Sequence, residues 1–437
     1  MKRLLLTLAF LFPSLLGALE TSSFKLDQTA AGTVGLIDSY RKALQKNERI
    51  ASAEEDYIQT TYFKKLATAA ILPDITLQGS YFKQESIPSS GLPGQSFLLS
   101  TRTSAFARIE QPLFSGFREL NARRSAGHLM RAGEQNLRQT KDQLLNDVAF
   151  AFYLSLQLQQ EVETIQESLQ LQRERLREVE ARQKIGLARR TEVLLIETQF
   201  TRDQSNLLRA QNNLDIAREN LNFVVGERME GRLVDDISEI VSPLDEDALV
   251  RAAVATRGDV KESAWRVEAA KSQVSVVRGE YFPELELVSN LYGHREGIQA
   301  PVTWDIEFVL KFPVFWGRDV RARELQALSR KRQAELNLSQ LQRQVELQVK
   351  SAIRDWESSD SLIKSLQKER DVADENYRLI QEEYRIGLSD NLEVLTSYLF
   401  LQNAKLDLEK EKINRKLVWI RMQTALGENP VTRESAR

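Results

Sequence analysis

The chain has 437 residues, no cysteine and only two histidines, His128 and His294. Without cysteine there is no disulfide, no thiolate zinc site, no thiol nucleophile and no lipidated N-terminal Cys. Two isolated histidines do not make a His-rich metal site. An excess of either charge is also missing. The 60 Lys+Arg and 62 Asp+Glu leave a net charge of -2, whereas a protein devoted to nucleic acid needs a basic surplus. Gly-x-Gly-x-x-Gly, the phosphate-loop Gly-Lys-Ser/Thr, Gly-x-Ser-x-Gly and His-Glu-x-x-His do not occur, so an enzyme would lack recognisable machinery. No catalytic residue, cofactor or metal site is expected. Beyond the N-terminus no apolar run reaches the ~20 residues of a membrane-spanning helix, so any later crossing must use β-strands.

What is present begins with an address. Met1-Lys2-Arg3 precedes an apolar run from Leu4 to Leu16, interrupted at Thr7, Pro13 and Ser14 and followed by Gly17-Ala18. A basic start, a short apolar core and small residues at the end describe a secretory signal, expected over residues 1–18. An extended segment is expected over 19–35.

The chain then repeats itself. Lys184-Ile185-Gly186-Leu187, with Glu192-Val193-Leu194 downstream, recurs as Arg385-Ile386-Gly387-Leu388 with Glu393-Val394-Leu395, an offset of 201 residues. The same offset carries Gly226-Glu227 onto Gly427-Glu428. It also carries Pro112-Leu113-Phe114-Ser115-Gly116 onto Pro313-Val314-Phe315-Trp316-Gly317. Two copies of one unit are therefore expected, at 36–227 and 243–428, joined by a linker over 228–242 and followed by a tail over 429–437. Each unit reads helix, strand, strand, long helix, helix.

Arg118 to Lys184 contains no proline, and neither proline nor glycine interrupts Asp319 to Arg385. Ala151, Ser155, Leu158, Val162, Ile165, Leu169, Gln172, Leu176 and Val179 step by four and three in turn, as do Val193, Ile196, Phe200, Asp203, Leu207, Ala210, Leu214, Ala217, Leu221 and Val224. That seven-residue period predicts coiled-coil hairpins. Between the helices lie stretches of period two. Trp304, Ile306, Phe308, Leu310 and Phe312 alternate with Thr303, Asp305, Glu307, Val309 and Lys311; Ile75, Leu77, Gly79 and Tyr81 alternate with more polar neighbours. Strands are expected at about 74–83, 101–114, 284–293 and 303–315. Each suffices for the ~9–11 residues with which a tilted strand crosses a bilayer. Four strands cannot close a barrel in lipid, so a membrane role requires several chains.

On these residues the sequence resembles the TolC family of outer-membrane efflux ducts. The duplicated Pro-x-Phe-x-Gly motif and the Ile-Gly-Leu turn with its Glu-Val-Leu carry the likeness, which covers essentially the whole chain after the signal. The resemblance implies a mainly α fold with a small β part: a homotrimer whose α-barrel of helical hairpins continues into a 12-stranded transmembrane β-barrel, four strands per chain. It implies an outer-membrane location with a long periplasmic part. The function would be that of a passive export channel for drug or metal efflux or type I secretion. Its partners would be outer-membrane lipid, a periplasmic adaptor (membrane fusion protein) and, through it, an inner-membrane RND, ABC or MFS transporter; nucleic acid is not among them. Pro112, Gly116, Pro313 and Gly317 would mark the barrel-to-helix junctions, where proline supplies a helix-compatible φ and needs no ladder N–H. Gly186, Leu187, Gly387 and Leu388 would be adaptor-docking positions at the hairpin tips.

The family narrows its duct near these tips. By resemblance Glu393, Glu192, Tyr384 and Asp390 belong to the constriction. Glu393 is the pore-facing candidate, and Glu192 pairs between hairpins. Thr396 stands where the family has a second acid. Ser389 stands where Tyr384 usually finds a basic partner, so a weak latch is expected. For each acid the plainer alternative is a solvated residue at a helix start, where the helix dipole favours it. The competing class is a soluble periplasmic coiled-coil scaffold or adaptor. It accounts for the helices but not for strand pairs at matching positions.

Overall fold

The computed structural model describes residues 32–85, 101–238, 245–296, 300–315 and 317–431. The expected signal over 1–18, most of the segment 19–35, the end of the linker and most of the tail lie outside the described residues.

The first half runs β1 (Thr33–Val34), α1 (Leu36–Lys46), α2 (Glu48–Ala69), β2 (Asp74–Lys83), β3 (Thr101–Ser115), α3 (Arg118–Lys184) and α4 (Arg190–Val225). After β4 (Arg232–Leu233) come α5 (Glu246–Thr256), α6 (Gly258–Gly279), β5 (Glu284–Arg295), β6 (Trp304–Lys311), α7 (Asp319–Arg385) and α8 (Asn391–Ala425).

Helices α3 and α7 have 67 residues each. At 1.5 Å per residue each is about 100 Å long. Heptad positions hold them to their partners. On α3, Ala151, Ser155, Val162, Leu169, Gln172 and Val179 are buried; on α4, Val193, Ile196, Ala210, Ala217 and Leu221 are. Polar side chains also cross between the two helices: Gln172 Nε2 donates to Asp203 Oδ2 at 2.5 Å, and Arg218 Nη2 to Gln159 Oε1 at 3.1 Å. A polar pair inside an apolar seam fixes register at some cost in stability. Glycine within α3 serves close approach: a Cβ on Gly133 would sit 2.9 Å from Thr60 Oγ1 of α2.

The four longer strands form one antiparallel sheet in the order β2-β3-β5-β6. Its register sorts the side chains by face. Ile75, Ile109, Ser289 and Ile306 lie in one row across the strands, and Leu77, Ala107, Leu291 and Trp304 in another on the same face. The opposite face carries Thr76, Arg108, Asn290 and Asp305, with Asp74, Glu110, Val288 and Glu307 beside them. Among the described residues the outermost strands, β2 and β6, each pair on one side only.

The strand expected over 303–315 is shorter than that. β6 stops at Lys311 because its only partner, β5, begins at Glu284, the residue opposite Lys311. The two Pro-x-Phe-x-Gly copies consequently differ. Pro112 lies inside β3, next to a register shift against β5, and the strand runs on to Ser115. Pro313 lies beyond β6. Both long helices are nevertheless entered through two successive left-handed residues, Gly116 and Phe117 (φ 65 and 63°) and Gly317 and Arg318 (φ 60 and 68°). Glycine is required at the first junction, since a Cβ on Gly116 would meet the Gly279 carbonyl oxygen at 2.1 Å.

The largest core lies midway along the long helices. Phe152 and Val148 of α3, Val349 of α7, Ile420 of α8, Tyr40 of α1 and Leu233 of the linker are all buried in one cluster. The linker is bolted here from several directions. Leu233 exchanges hydrogen bonds with the Gln159 side chain (3.1 and 3.3 Å), and β4 pairs in parallel with β1. Asp236 accepts from the N–H groups of Leu36 and Ile37 at 2.8 and 3.2 Å. Gly35, the N-cap residue of α1, has no side chain to do this, so the orphan donors of α1 are satisfied from the middle of the chain. A Cβ at Gly35 would collide with the Asp236 carboxylate.

Candidate functional site: the bare sheet and the helical tips

The sheet leaves its apolar face uncovered. Leu77 is 86% exposed, Leu310 66% and Trp304 61%. A hydrophobic surface of this extent is not stable against water and marks a lipid or protein contact. On the polar face Asp305 accepts from Asn290 Nδ2 (2.8 Å) and from the Tyr292 hydroxyl (2.9 Å), while Arg108 and Glu110 form an ion pair. One face therefore suits hydrocarbon and the other a watery lumen. No helix among the described residues is long and apolar enough to cross a membrane.

At the opposite end the hairpins turn in the same way. Gly186 and Gly387 have φ of 77 and 82°. Leu187 N–H bonds to the Arg182 carbonyl and Gly186 N–H to that of Gln183, at 2.9 and 3.0 Å. Leu388 and Gly387 repeat this on Glu383 and Tyr384. This is the helix stop for which a left-handed glycine is favoured. The hydrophobic residue that often packs back onto such a helix end does not do so here. Leu187 and Leu388 are each 76% exposed.

The constriction candidates sit at this end. Glu192 accepts from the Arg189 N–H at 3.0 Å. Glu393 accepts from the Asp390 N–H at 3.3 Å and from the Ser389 hydroxyl at 2.6 Å, while Asp390 accepts from the Glu393 N–H at 2.9 Å. Asp390 and Glu393 thus close a capping box at the start of α8. Glu393 remains exposed despite these bonds. Tyr384 does find basic partners, from the other hairpin. The guanidinium of Arg182 lies 5.1 Å from its ring centre and that of Arg175 5.9 Å. Arg175 also donates to Asn391 Oδ1 at 2.9 Å. Burial holds the Arg175 pKa below its ordinary value, opposed by Tyr377, Tyr384 and Glu178 nearby. Two turns deeper, Tyr398 meets the Ser168 hydroxyl at 2.6 Å, and burial raises its pKa to about 12. Arg175 and Arg182 escape a reading by local spacing, because their partners lie on the second hairpin.

A family model described as outer membrane efflux protein matches residues 39–227 and 249–428. The chain belongs to this family. The matched stretches fall within the expected repeat bounds of 36–227 and 243–428. Among relatives of this outer membrane efflux protein is the alkaline protease secretion protein AprF of Pseudomonas aeruginosa, 22% identical over 413 residues, spanning 91% of this chain and 85% of AprF. The outer membrane protein TolC of Escherichia coli K12 is 22% identical over 438 residues, spanning 95% of this chain and 86% of TolC. Among solved structures, the outer membrane protein VceC of Vibrio cholerae superposes with a TM-score of 0.77 at 17% identity, covering 90% of this chain and 96% of VceC. The efflux protein described here is thus an outer-membrane export channel with a long helical periplasmic part, and the soluble-scaffold alternative falls.

Proposed function

We propose that three copies of this efflux protein close one continuous duct, carrying substrates passively from an inner-membrane pump and its periplasmic adaptor across periplasm and outer membrane. The observation that carries this reading is the sheet: among the described residues one face is apolar and bare, and both edges are open. In lipid each unpaired edge N–H or C=O costs several kcal/mol. Joining β2 of one copy to β6 of the next removes every edge, and three copies supply an even-stranded barrel of workable size. Pro112, Gly116, Pro313 and Gly317 then sit at the joint between barrel and helices.

The tips are the adaptor-docking end. Gly186 and Gly387 hold the turns, and Leu187 and Leu388 present bare apolar side chains to the partner. RND, ABC and MFS transporters all fit behind such an adaptor. Drug efflux, metal efflux and type I secretion would then differ in the pump rather than in a binding pocket of the duct. Tyr384, clasped by Arg182 and Arg175, holds the two hairpins of a protomer together, so the basic group that Ser389 does not provide comes from α3. Glu393 lines the narrow end and Asp390 adds charge beside it. Glu192 caps its own hairpin. Three close carboxylates attract cations.

Reconstitution of the purified mature protein in a planar bilayer tests this. Threefold particles by electron microscopy and cation-favouring channels are expected, with the cation preference reduced in Glu393→Gln. A water-soluble monomer would refute the duct. An unchanged preference in Glu393→Gln would refute the acidic ring alone.

A further inference from the structure

The two tips are copies in backbone and opposites in charge. Residues 173–192 hold seven basic and four acidic side chains, net +3; the matching residues 374–393 hold six acidic and two basic, net -4. Three matched positions reverse sign outright: Arg173 against Asp374, Arg182 against Glu383, and Arg189 against Asp390. Duplication alone would have left the tips alike, as it left Ile-Gly-Leu in both.

These charges are not spent on each other. Among the described residues no ion pair joins one tip to the other; Arg175 and Arg182 reach across to an amide and an aromatic ring instead. Lys184, Arg189 and Arg190 on the first tip, and Glu382 and Glu383 on the second, are exposed and form no ion pair among the described residues. Each set surrounds the same bare apolar pair, Ile185 with Leu187 or Ile386 with Leu388, all at least 70% exposed. Apolar contact supplies affinity without telling the tips apart. Charge at the rim selects partner and register, because like charges brought together are rejected.

We propose that a protein partner reads the two tips by sign, docking acidic side chains on the first hairpin around Lys184, Arg189 and Arg190 and basic side chains on the second around Glu382 and Glu383. This deepens the adaptor-docking role proposed above and rests on it. The partner's docking end must therefore carry both charges, set apart, around leucine-like residues that cover Leu187 and Leu388. A partner of one sign fits half of the tips and is repelled by the others.

The probes are two labelled helical-hairpin peptides, identical except that one has three Glu and the other three Lys around a turn leucine. They are titrated by fluorescence anisotropy onto the full-length assembly in detergent. Lys184→Glu/Arg189→Glu/Arg190→Glu is expected to weaken the Glu probe about tenfold and leave the Lys probe unchanged. Glu382→Lys/Glu383→Lys should do the reverse, and both effects should fade at high salt. Leu187→Asp/Leu388→Asp should abolish both. If that leucine variant abolishes both probes while the charge variants do not discriminate between them, docking stands and reading by sign is overturned. If the leucine variant changes nothing, or neither probe binds, the docking role falls and this proposal with it. Loss of binding to phosphatidylglycerol vesicles in the triple variant, with the Glu probe unaffected, assigns the basic tip to lipid and likewise overturns it.

Discussion

The waist and the sheet of this channel protein are built to opposite rules. At the waist, side chains from both repeats, the linker and the last helix bury one another, and helix ends are capped across the chain. In the sheet, Leu77, Trp304 and Leu310 face outward, and two strand edges have no partner strand among the described residues. The waist has its buried core within one chain, although Phe150 and Phe223 beside that core stay exposed. The sheet is finished only by lipid and by other copies. The protomer therefore owes its own stability to its middle and its function to surfaces left unsatisfied at the ends.

The sharpest way to break this contrast is a cavity in the waist. Phe152 is fully buried there, and Phe152→Ala is expected to cost about 3–5 kcal/mol, read as a large fall in Tm. Leu77→Arg attacks the other region. It should leave the helical circular dichroism and the waist intact. Insertion into bilayers should be disfavoured by about 2–4 kcal/mol if Leu77 lies near the bilayer centre. If Leu77→Arg lowered Tm as far as Phe152→Ala, the sheet would have a protein core and the contrast would be false. Asp236→Ala strips the cross-chain cap from α1 and should cost about 1–2 kcal/mol, again visible in Tm. The smallest effect belongs to the tips. Arg182→Ala removes one cation–π contact on Tyr384, worth about 0.5–1 kcal/mol, and should raise the adaptor-free conductance with Tm unchanged. Ser389→Arg should change conductance less, because Tyr384 already has its basic partners.

The same contrast explains what a reader of the residues alone can see. The repeat, the long helices and their seams are legible because heptads are local and duplicated at one offset. The alternation of β5 and β6 is legible because one face must be apolar. The end of β6 at Lys311 is not, because it depends on where β5 begins, a matter of register between strands. Nor is the clasp of Arg175 and Arg182 on Tyr384: its members lie about two hundred residues apart, and no spacing within one hairpin points to the other. Glu192 and Glu393 show a further difficulty. An acid three residues into a helix satisfies a cap and a pore equally well by pattern, and only the hydrogen bonds to Arg189, Asp390 and Ser389 reveal the first of these roles.

The cap that Asp236 places on α1 also governs how the molecule can mature. Helix α1 receives its missing acceptor from a residue some two hundred positions later, and Tyr40 on the same helix meets Asn429 in the final turns of the chain at 3.1 Å. A polypeptide threaded N-terminus first through a translocon cannot complete its opening helix as that helix emerges. The early part must wait, unfinished and exposed to proteases and chaperones, until the midpoint and then the end arrive. Products that stop before α8 lack Ile420 of the buried cluster and the Asn429 partner of Tyr40, and so cannot seal the waist.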